Sequence, residues 1–446
     1  MAIHKAAPSQ LEAKTFKGKC TLQSLTFIRS NFSSEAASHQ MLRNNMLFGA
    51  MFLECANAGD LAANVWNETP TPIFARVLMG IGGSLALLIS SFAFRDAILS
   101  WSNTVLLRRE RQHLLQRRSS QDRGTLLARD LEVRLEMNFR ETGVEWMNRF
   151  GMDVLLGFGA VIVGVGTLLA IGGRNPTVFQ VSNLLSGYIG NGPAALWGLS
   201  HVAWCILIWN RMRQHQKVAE RHFEKNSDIR RRMLRRVRNV KRHMAIYGSA
   251  GFIVGMASLV SATNWWGYVI LGPCLIVTIC CNFNFRRSIC YSRVSIEQMS
   301  LAEKDAILLQ LKGISSLRRI LTGAGSASLT HLNSEPMTFA TAMRFILCHG
   351  LFADFCTRLI EDEDLTRSIF GEPQDVLVIR SHGLLLATGK IETRLRDLAL
   401  VCIGDVGVRF ISRDHEVFLL DLLGCLLSLP SEMNFRRSSK DDIETM

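Results

Sequence analysis

Charged side chains vanish from four stretches of the chain: Val77–Phe94, Val154–Gly173, Asn175–Asn210 and Met244–Phe285. Between them the sequence is dense in arginine. A globular core has no need of such long uncharged runs, but a bilayer does, because about 20 apolar residues carry a helix across roughly 30 Å of hydrocarbon. The first two runs are each one helix long. In the third, Asn191-Gly192-Pro193 reads as a cap with proline in the first turn, which predicts a helix over Pro193–Trp209. Thr177–Gly190 then precedes it as a loop or interfacial segment. The fourth run is too long for one crossing and must turn back on itself. Asn264-Trp265-Trp266 marks the turn, since tryptophan favours the membrane–water interface. That gives spans near 245–262 and 266–283, with Pro273 kinking the second. The pattern therefore predicts an all-α, polytopic membrane helix bundle of five spanning helices.

A sixth apolar stretch, Met46–Trp66, is set aside. As a span it would bury Glu54 and Asp60 along with Asn57 and Asn64, at a cost of about 3 kcal/mol for each acid near the centre. Leu131–Phe139 alternates apolar and polar residues with a strand's period, but with no partner strand nearby we keep it as helix. Beyond residue 285 the apolar segments shorten. Ser300-Leu-Ala-Glu303 is a capping box that opens a helix to Leu321, Gly323–Ser334 is a small-residue linker, and Thr338 caps a helix over Phe339–Glu361. Val376–Ala387, Ile391–Ile403 and Val417–Leu429 are too short to span and must pack together or lie on the membrane. The expected division is a tail over 1–72, a membrane domain over 73–285 with basic loops at 95–150 and 211–244, and a mostly helical domain over 286–446.

Charge orients this arrangement. The net charge of +13 is concentrated between spans. Residues 95–149 hold 11 arginines, and 211–244 hold 13 basic against 3 acidic residues. On the opposite face, the loop after the second span has only Arg174 and the hairpin turn has none, although the N-terminal stretch ahead of Val77 carries seven basic residues. Cytosolic connections carry the Lys/Arg excess, so both basic loops and the C-terminal domain are expected in the cytosol. Five spans then place the N-terminal tail in the lumen or outside the cell. The sequons Asn31-Phe32-Ser33 and Asn67-Glu68-Thr69 fall in that tail, so Asn31 and Asn67 are expected glycosylation sites. Residues 1–34 hold one acid and loosely resemble a mitochondrial presequence. A matrix N-terminus is incompatible with five spans and a matrix-facing arginine loop, so the expected location is the endomembrane system or the plasma membrane. A basic excess confined to loops between spans also excludes nucleic acid as the partner. The bilayer is the expected partner, with anionic head groups against the basic loops.

Candidate chemistry is sparse. The 11 cysteines show no metal-ligand spacing, and Gly383–Ile391 departs from a phosphate loop in both spacing and hydroxyl, so no metal or cofactor is expected. Cys280 and Cys281 lie beside Arg286-Arg287 and are lipidation candidates. Gly251 and Gly255 form a GxxxG face, which lets two backbones approach closely in lipid, either inside the bundle or in a homodimer. His201 is the one ionisable side chain in the middle of a predicted span, where such groups point to function. No catalytic arrangement stands out. The leading functional expectation is a non-enzymatic membrane scaffold or regulator that engages a cytosolic protein. The alternatives are a transporter or channel for an uncharged or lipid-like solute, and an enzyme acting on a lipid or isoprenoid.

Overall fold

In the computed structural model the described residues are 24–30, 33–36, 41–66, 71–121, 125–295, 303–323, 338–348, 351–371, 376–407 and 410–429. They are overwhelmingly helical. Five helices are long and apolar enough to cross a membrane: α1 (Ile73–Ser119), α2 (Leu126–Ala170), α3 (Pro176–His222), α4 (Asp228–Ser261) and α5 (Gly267–Ile289). Each contains one predicted span. The arginine-rich connections are mostly continuations of these helices, with a short turn at residues 223–227. Arginine is a good helix former, and pairs such as Arg211 with Glu136 and Arg232 with Asp228 tie the extensions down. Three spans carry π turns, at Trp146–Phe150 in α2, Leu184–Ile189 in α3 and Phe285–Ile289 in α5. The stretch expected as a loop before Asn191 is thus largely helical, and its Ser182 hydroxyl donates to the Gly166 carbonyl at 2.8 Å.

Small residues set the helix contacts. A side chain at Gly198 would meet the Gly251 carbonyl, and one at Gly255 would meet Ala194 and Ala195. The GxxxG face of α4 is therefore occupied by α3 of the same chain. Gly83 and Gly164 bring α1 and α2 together in the same way.

Part of the stretch expected as a tail lies inside this bundle. Asn44 donates to the carbonyls of Arg286, at 2.8 Å, and Cys290, at 3.5 Å, where α5 ends. The Leu47 amide donates to Asp96, and Phe48 and Phe52 pack on Phe283. A 3-10 helix, Gly49–Ala58, then runs up the bundle, with the Met51 carbonyl accepting from Asn282. Gly59 meets the backbone of Gly82, and Asp60 bonds Tyr268 at the start of α5. Trp66 reaches Phe74 at the start of α1. From Arg286 back to Tyr268, α5 rises about 27 Å at 1.5 Å per residue. The sixteen residues from Asn44 to Asp60 cover the same distance, which needs about 1.7 Å each. That lies between an α-helix and the roughly 2.0 Å of a 3-10 helix, so a stretched, narrow form is what the gap demands. Gly49, Ala50, Ala56, Ala58 and Gly59 keep it slim enough to fit.

The chain forms two compact units. One draws on residues up to Leu42, Asp122–Val133 and Tyr291–Leu426, the other on Arg43–Gln121, Arg134–Cys290 and the chain from Leu427 on. In the first, β1 (Ser24–Ser30) pairs antiparallel with both β2 (Ser33–Ala36) and β5 (Val376–Arg380). A second small sheet joins β3 (Met41–Leu42) to β4 (Arg293–Val294). The chain that precedes the bundle is thus hydrogen-bonded to the chain that follows it. Helices α6 (Lys304–Gly323), α7 (Phe339–Cys348), α8 (Phe352–Glu361), α9 (Glu363–Phe370), α10 (Lys390–Cys402) and α11 (Glu416–Ser428) complete this part. The helix expected over Phe339–Glu361 is broken before Leu351, although Thr338 does cap it, accepting from the Thr341 amide at 3.3 Å. Val376–Arg380, expected to pack as an apolar segment, is a strand. Ser300, Asn31, Asn67 and residues 324–334 lie outside the described residues.

Candidate functional site

The residues brought together inside the bundle are mostly not those singled out by the spans alone. At the arginine-rich end, Arg149 is buried, with 1 % of its surface exposed. The π turn at Trp146–Phe150 adds a residue to the helix there. Such insertions re-aim side chains and recur at functional sites. Arg149 donates to Asp96 of α1 at 3.1 Å and to Glu145 of α2 at 3.2 Å, and it reaches the Asn45 side-chain oxygen at 2.9 Å. Glu145 also accepts from the Ser100 hydroxyl at 2.9 Å. Asp96 accepts the Leu47 amide at 2.6 Å. Asp153, one helical turn beyond Arg149, is fully buried and faces Asp96. Three acids thus surround one guanidinium.

Halfway along the 3-10 helix, Glu54 is 2 % exposed and its carboxylate oxygens have no hydrogen-bond partner. Thr278 stands beside it, but the Thr278 hydroxyl donates to the Leu275 carbonyl at 2.9 Å. Cys274, Cys281 and Tyr247 lie within electrostatic reach. Tyr247 in turn places its hydroxyl 3.3 Å from the Met152 sulfur.

Near the other end, Asp60 is fully buried and well supplied with donors. It accepts from Tyr268 at 2.8 Å, Asn64 at 3.0 Å and Asn191 at 3.4 Å. Asn191, expected as a helix cap, instead spends its amide on Asp60 and on the carbonyls of Ser186 and Gly187. The acids therefore fall at three levels along Asn44–Asp60: Asp96 and Asp153 near its start, Glu54 midway, Asp60 at its end. A lipid-exposed backbone of this irregular kind would be prohibitively costly. It is tolerated only where protein or a water-lined path covers it.

His201 belongs to a separate column. Its ring stacks on Trp197 at 4.7 Å, meets Tyr247 edge-on at 4.6 Å, and lies 3.5 Å from the Cys205 sulfur. His243 continues the column between Tyr247 and Phe285. Gly251 faces Trp197 and His201. Cys280 is exposed and Cys281 buried, so the two lipidation candidates sit in different surroundings. From the basic loop 95–150, Asp96, Ser100, Glu145 and Arg149 meet at the arginine-rich end. Among the described residues no group of three or more His, Cys, Asp or Glu is arranged to hold a metal ion. No family model, curated protein or solved structure matches the chain.

Proposed function

We propose that this chain is an ion-coupled membrane transport protein, and that Glu54 is the mid-membrane site its ion must occupy. The observation that carries the reading is the Glu54 carboxylate, buried among spanning helices with only the Thr278 hydroxyl beside it, and that hydroxyl donates to the Leu275 carbonyl. Removing an ionised carboxylate from water without compensation costs several kcal/mol. A purely structural position would select glutamine or leucine, whereas a position that binds and releases an ion requires the acid. An ionisable group within a membrane domain points to a transport or relay role by default, and irregular backbone at membrane depth is the usual setting for ion sites in transporters. A scaffold acting through its cytosolic domain needs none of these features.

In this reading residues 43–65 make a sixth crossing. The chain then begins and ends on the arginine-rich side, which the Lys/Arg excess makes cytosolic. The expectation of a luminal tail gives way, because that expectation counted five crossings.

The test is purified protein in sealed liposomes, with an imposed membrane potential and fluorescent readouts of internal pH and alkali cations. Wild type is expected to carry an ion current that falls at least tenfold in Glu54→Gln, with Glu54→Asp between them. Size-exclusion profiles establish that the variants are folded. Equal currents in wild type and Glu54→Gln would refute the role of Glu54, and no current above empty liposomes would refute transport.

A further inference from the structure

We infer that the ion is a proton, and that Asp96 and Asp153 share it at the arginine-rich mouth of the path. This rests on the transport reading above and names its substrate.

The argument begins with the count of donors. Around the mouth the buried donors include the Arg149 guanidinium, the Ser100 hydroxyl, the Leu47 amide and the Asn103 side-chain amide. Arg149 is committed to Asp96, Glu145 and Asn45, Ser100 to Glu145, Leu47 to Asp96 and Asn103 to the Arg43 carbonyl, while the buried Asn148 amide bonds none of the acids. Asp153 is left over: both its oxygens lack a donor, and the side chain it faces is another acid, Asp96. The titratable and charged groups that bear on the pair are Glu145 and Arg149 from α2, with Cys290 beyond the end of α5 acting on Arg149. One guanidinium cannot neutralise three carboxylates. Two carboxyls in contact cannot both ionise without a large repulsion, and the recurrent solution is one proton held between them.

A metal cation fits less well. Hard cations of this kind take about six or more oxygen ligands. At the mouth the Asp96 oxygens are already engaged by Leu47 and Arg149, and the adjacent guanidinium repels a second positive charge. At Glu54 the neighbouring hydroxyl, Thr278, is turned to a backbone carbonyl. At Asp60 the surroundings are donors, Tyr268, Asn64 and Asn191, which suit a carboxylate and leave few free oxygens for a metal. A proton needs one oxygen at a time, and each of the three levels supplies it.

The Tyr247 hydroxyl rests 3.3 Å from the sulfur of Met152, the residue before Asp153. Each step moves one proton: an O–H bond breaks on the donor carboxyl, one forms on the acceptor, and the charge travels with it. Nothing else is consumed.

The experiment uses the full-length protein in liposomes with a trapped pH dye. In one arm a valinomycin-clamped potassium gradient drives charge in sodium-free buffer. In the other, radioactive sodium uptake is followed with no pH gradient. Proton flux is expected in the first arm, at least tenfold lower in Asp153→Asn and in Glu54→Gln, with sodium uptake at the level of empty liposomes. Glu54-dependent sodium uptake would overturn the proton assignment while leaving ion transport standing. No flux in either arm would overturn both. Because Asp153→Asn could fail for other reasons, infrared difference spectra of wild type against Asp153→Asn give a second readout. A carbonyl stretch of a protonated buried carboxyl at neutral pH, lost in the variant, is expected. A featureless difference in that region would overturn the shared proton.

Discussion

Arg149→Met tests whether the mouth of the path is held together by charge. The substitution keeps much of the side-chain volume and removes the cation. Asp96, Glu145 and Asp153 remain, all buried, with two of them stripped of ion pairs at 3.1 and 3.2 Å. Deleting one partner of a buried pair typically costs about 3–5 kcal/mol, mostly the penalty of the charge left behind. At about 2–4 °C per kcal/mol for a unit of this size, the unfolding midpoint in detergent should fall by roughly 6–20 °C. The double variant Asp96→Asn, Arg149→Met removes one of the stranded charges as well. If electrostatics govern the site, the double variant recovers part of the loss, with a coupling of about 1–3 kcal/mol. The assay is loss of the monodisperse chromatographic peak after heating, at matched detergent and pH. A midpoint for Arg149→Met within a degree of wild type would refute the ion-pair argument. So would a double variant whose loss equals the sum of the singles.

Further outcomes follow from the same contacts. Tags placed ahead of residue 24 and after residue 429 should be exposed on the same side of sealed vesicles, because the flanking strands pair with one another; protease access to only one of them would exclude a sixth crossing. On that topology Asn31→Gln leaves the glycan pattern on gels unchanged, and a band shift would contradict it. Gly82→Val drives a side chain into the Gly59 carbonyl and should cost about 1–3 kcal/mol by overpacking. Gly80→Ala, with open space around it, should be neutral or slightly stabilising through helix propensity; equal effects would sink the close approach of the two backbones. In the other unit, burial pushes the Cys402 thiol up to about 12 and the Cys356 thiol higher still. At pH 8 only about one Cys402 in ten thousand is a thiolate, so native protein should resist maleimide at both positions, and fast labelling would contradict their burial. His201→Gln, which removes titration and keeps a hydrogen-bonding side chain, should retain ion flux, since the immediate partners of His201 are Trp197, Tyr247 and Cys205 rather than a carboxylate; loss of flux at normal expression would draw His201 into the path.

The five spans could be read from the sequence because each has a face turned to lipid, and lipid tolerates no charge over some 20 residues. The same rule set aside Met46–Trp66, the stretch that the proposed reading makes a sixth crossing. Hydropathy treats an acid as if it met hydrocarbon, and on that footing Glu54 and Asp60 disqualify it. In the fold both are enclosed by protein, where Tyr268, Asn64 and Asn191 bond Asp60. The signal that did survive in the sequence was the run of Gly and Ala from Gly49 to Ala63, which marks a segment meant to lie against other helices rather than against lipid. Asp153 stands just before the uncharged run Val154–Gly173, but its meeting with Asp96 depends on α1 and α2 packing together, and the π turn that re-aims Arg149 has no one-residue signature. The β1–β5 pairing was illegible for a different reason: its strands are separated by about 350 residues, so the strand character of Val376–Arg380 had no local partner to reveal it. The five lipid-facing helices carry no acid or base in their middles apart from His201, so a reading limited to them offers little for ion coupling. With a protein-sheathed segment set among them, charge can be concentrated there, where its desolvation is met by side chains rather than by lipid. In the proposed reading the same segment reverses the side on which the chain begins, so topology and mechanism stand or fall on that one crossing.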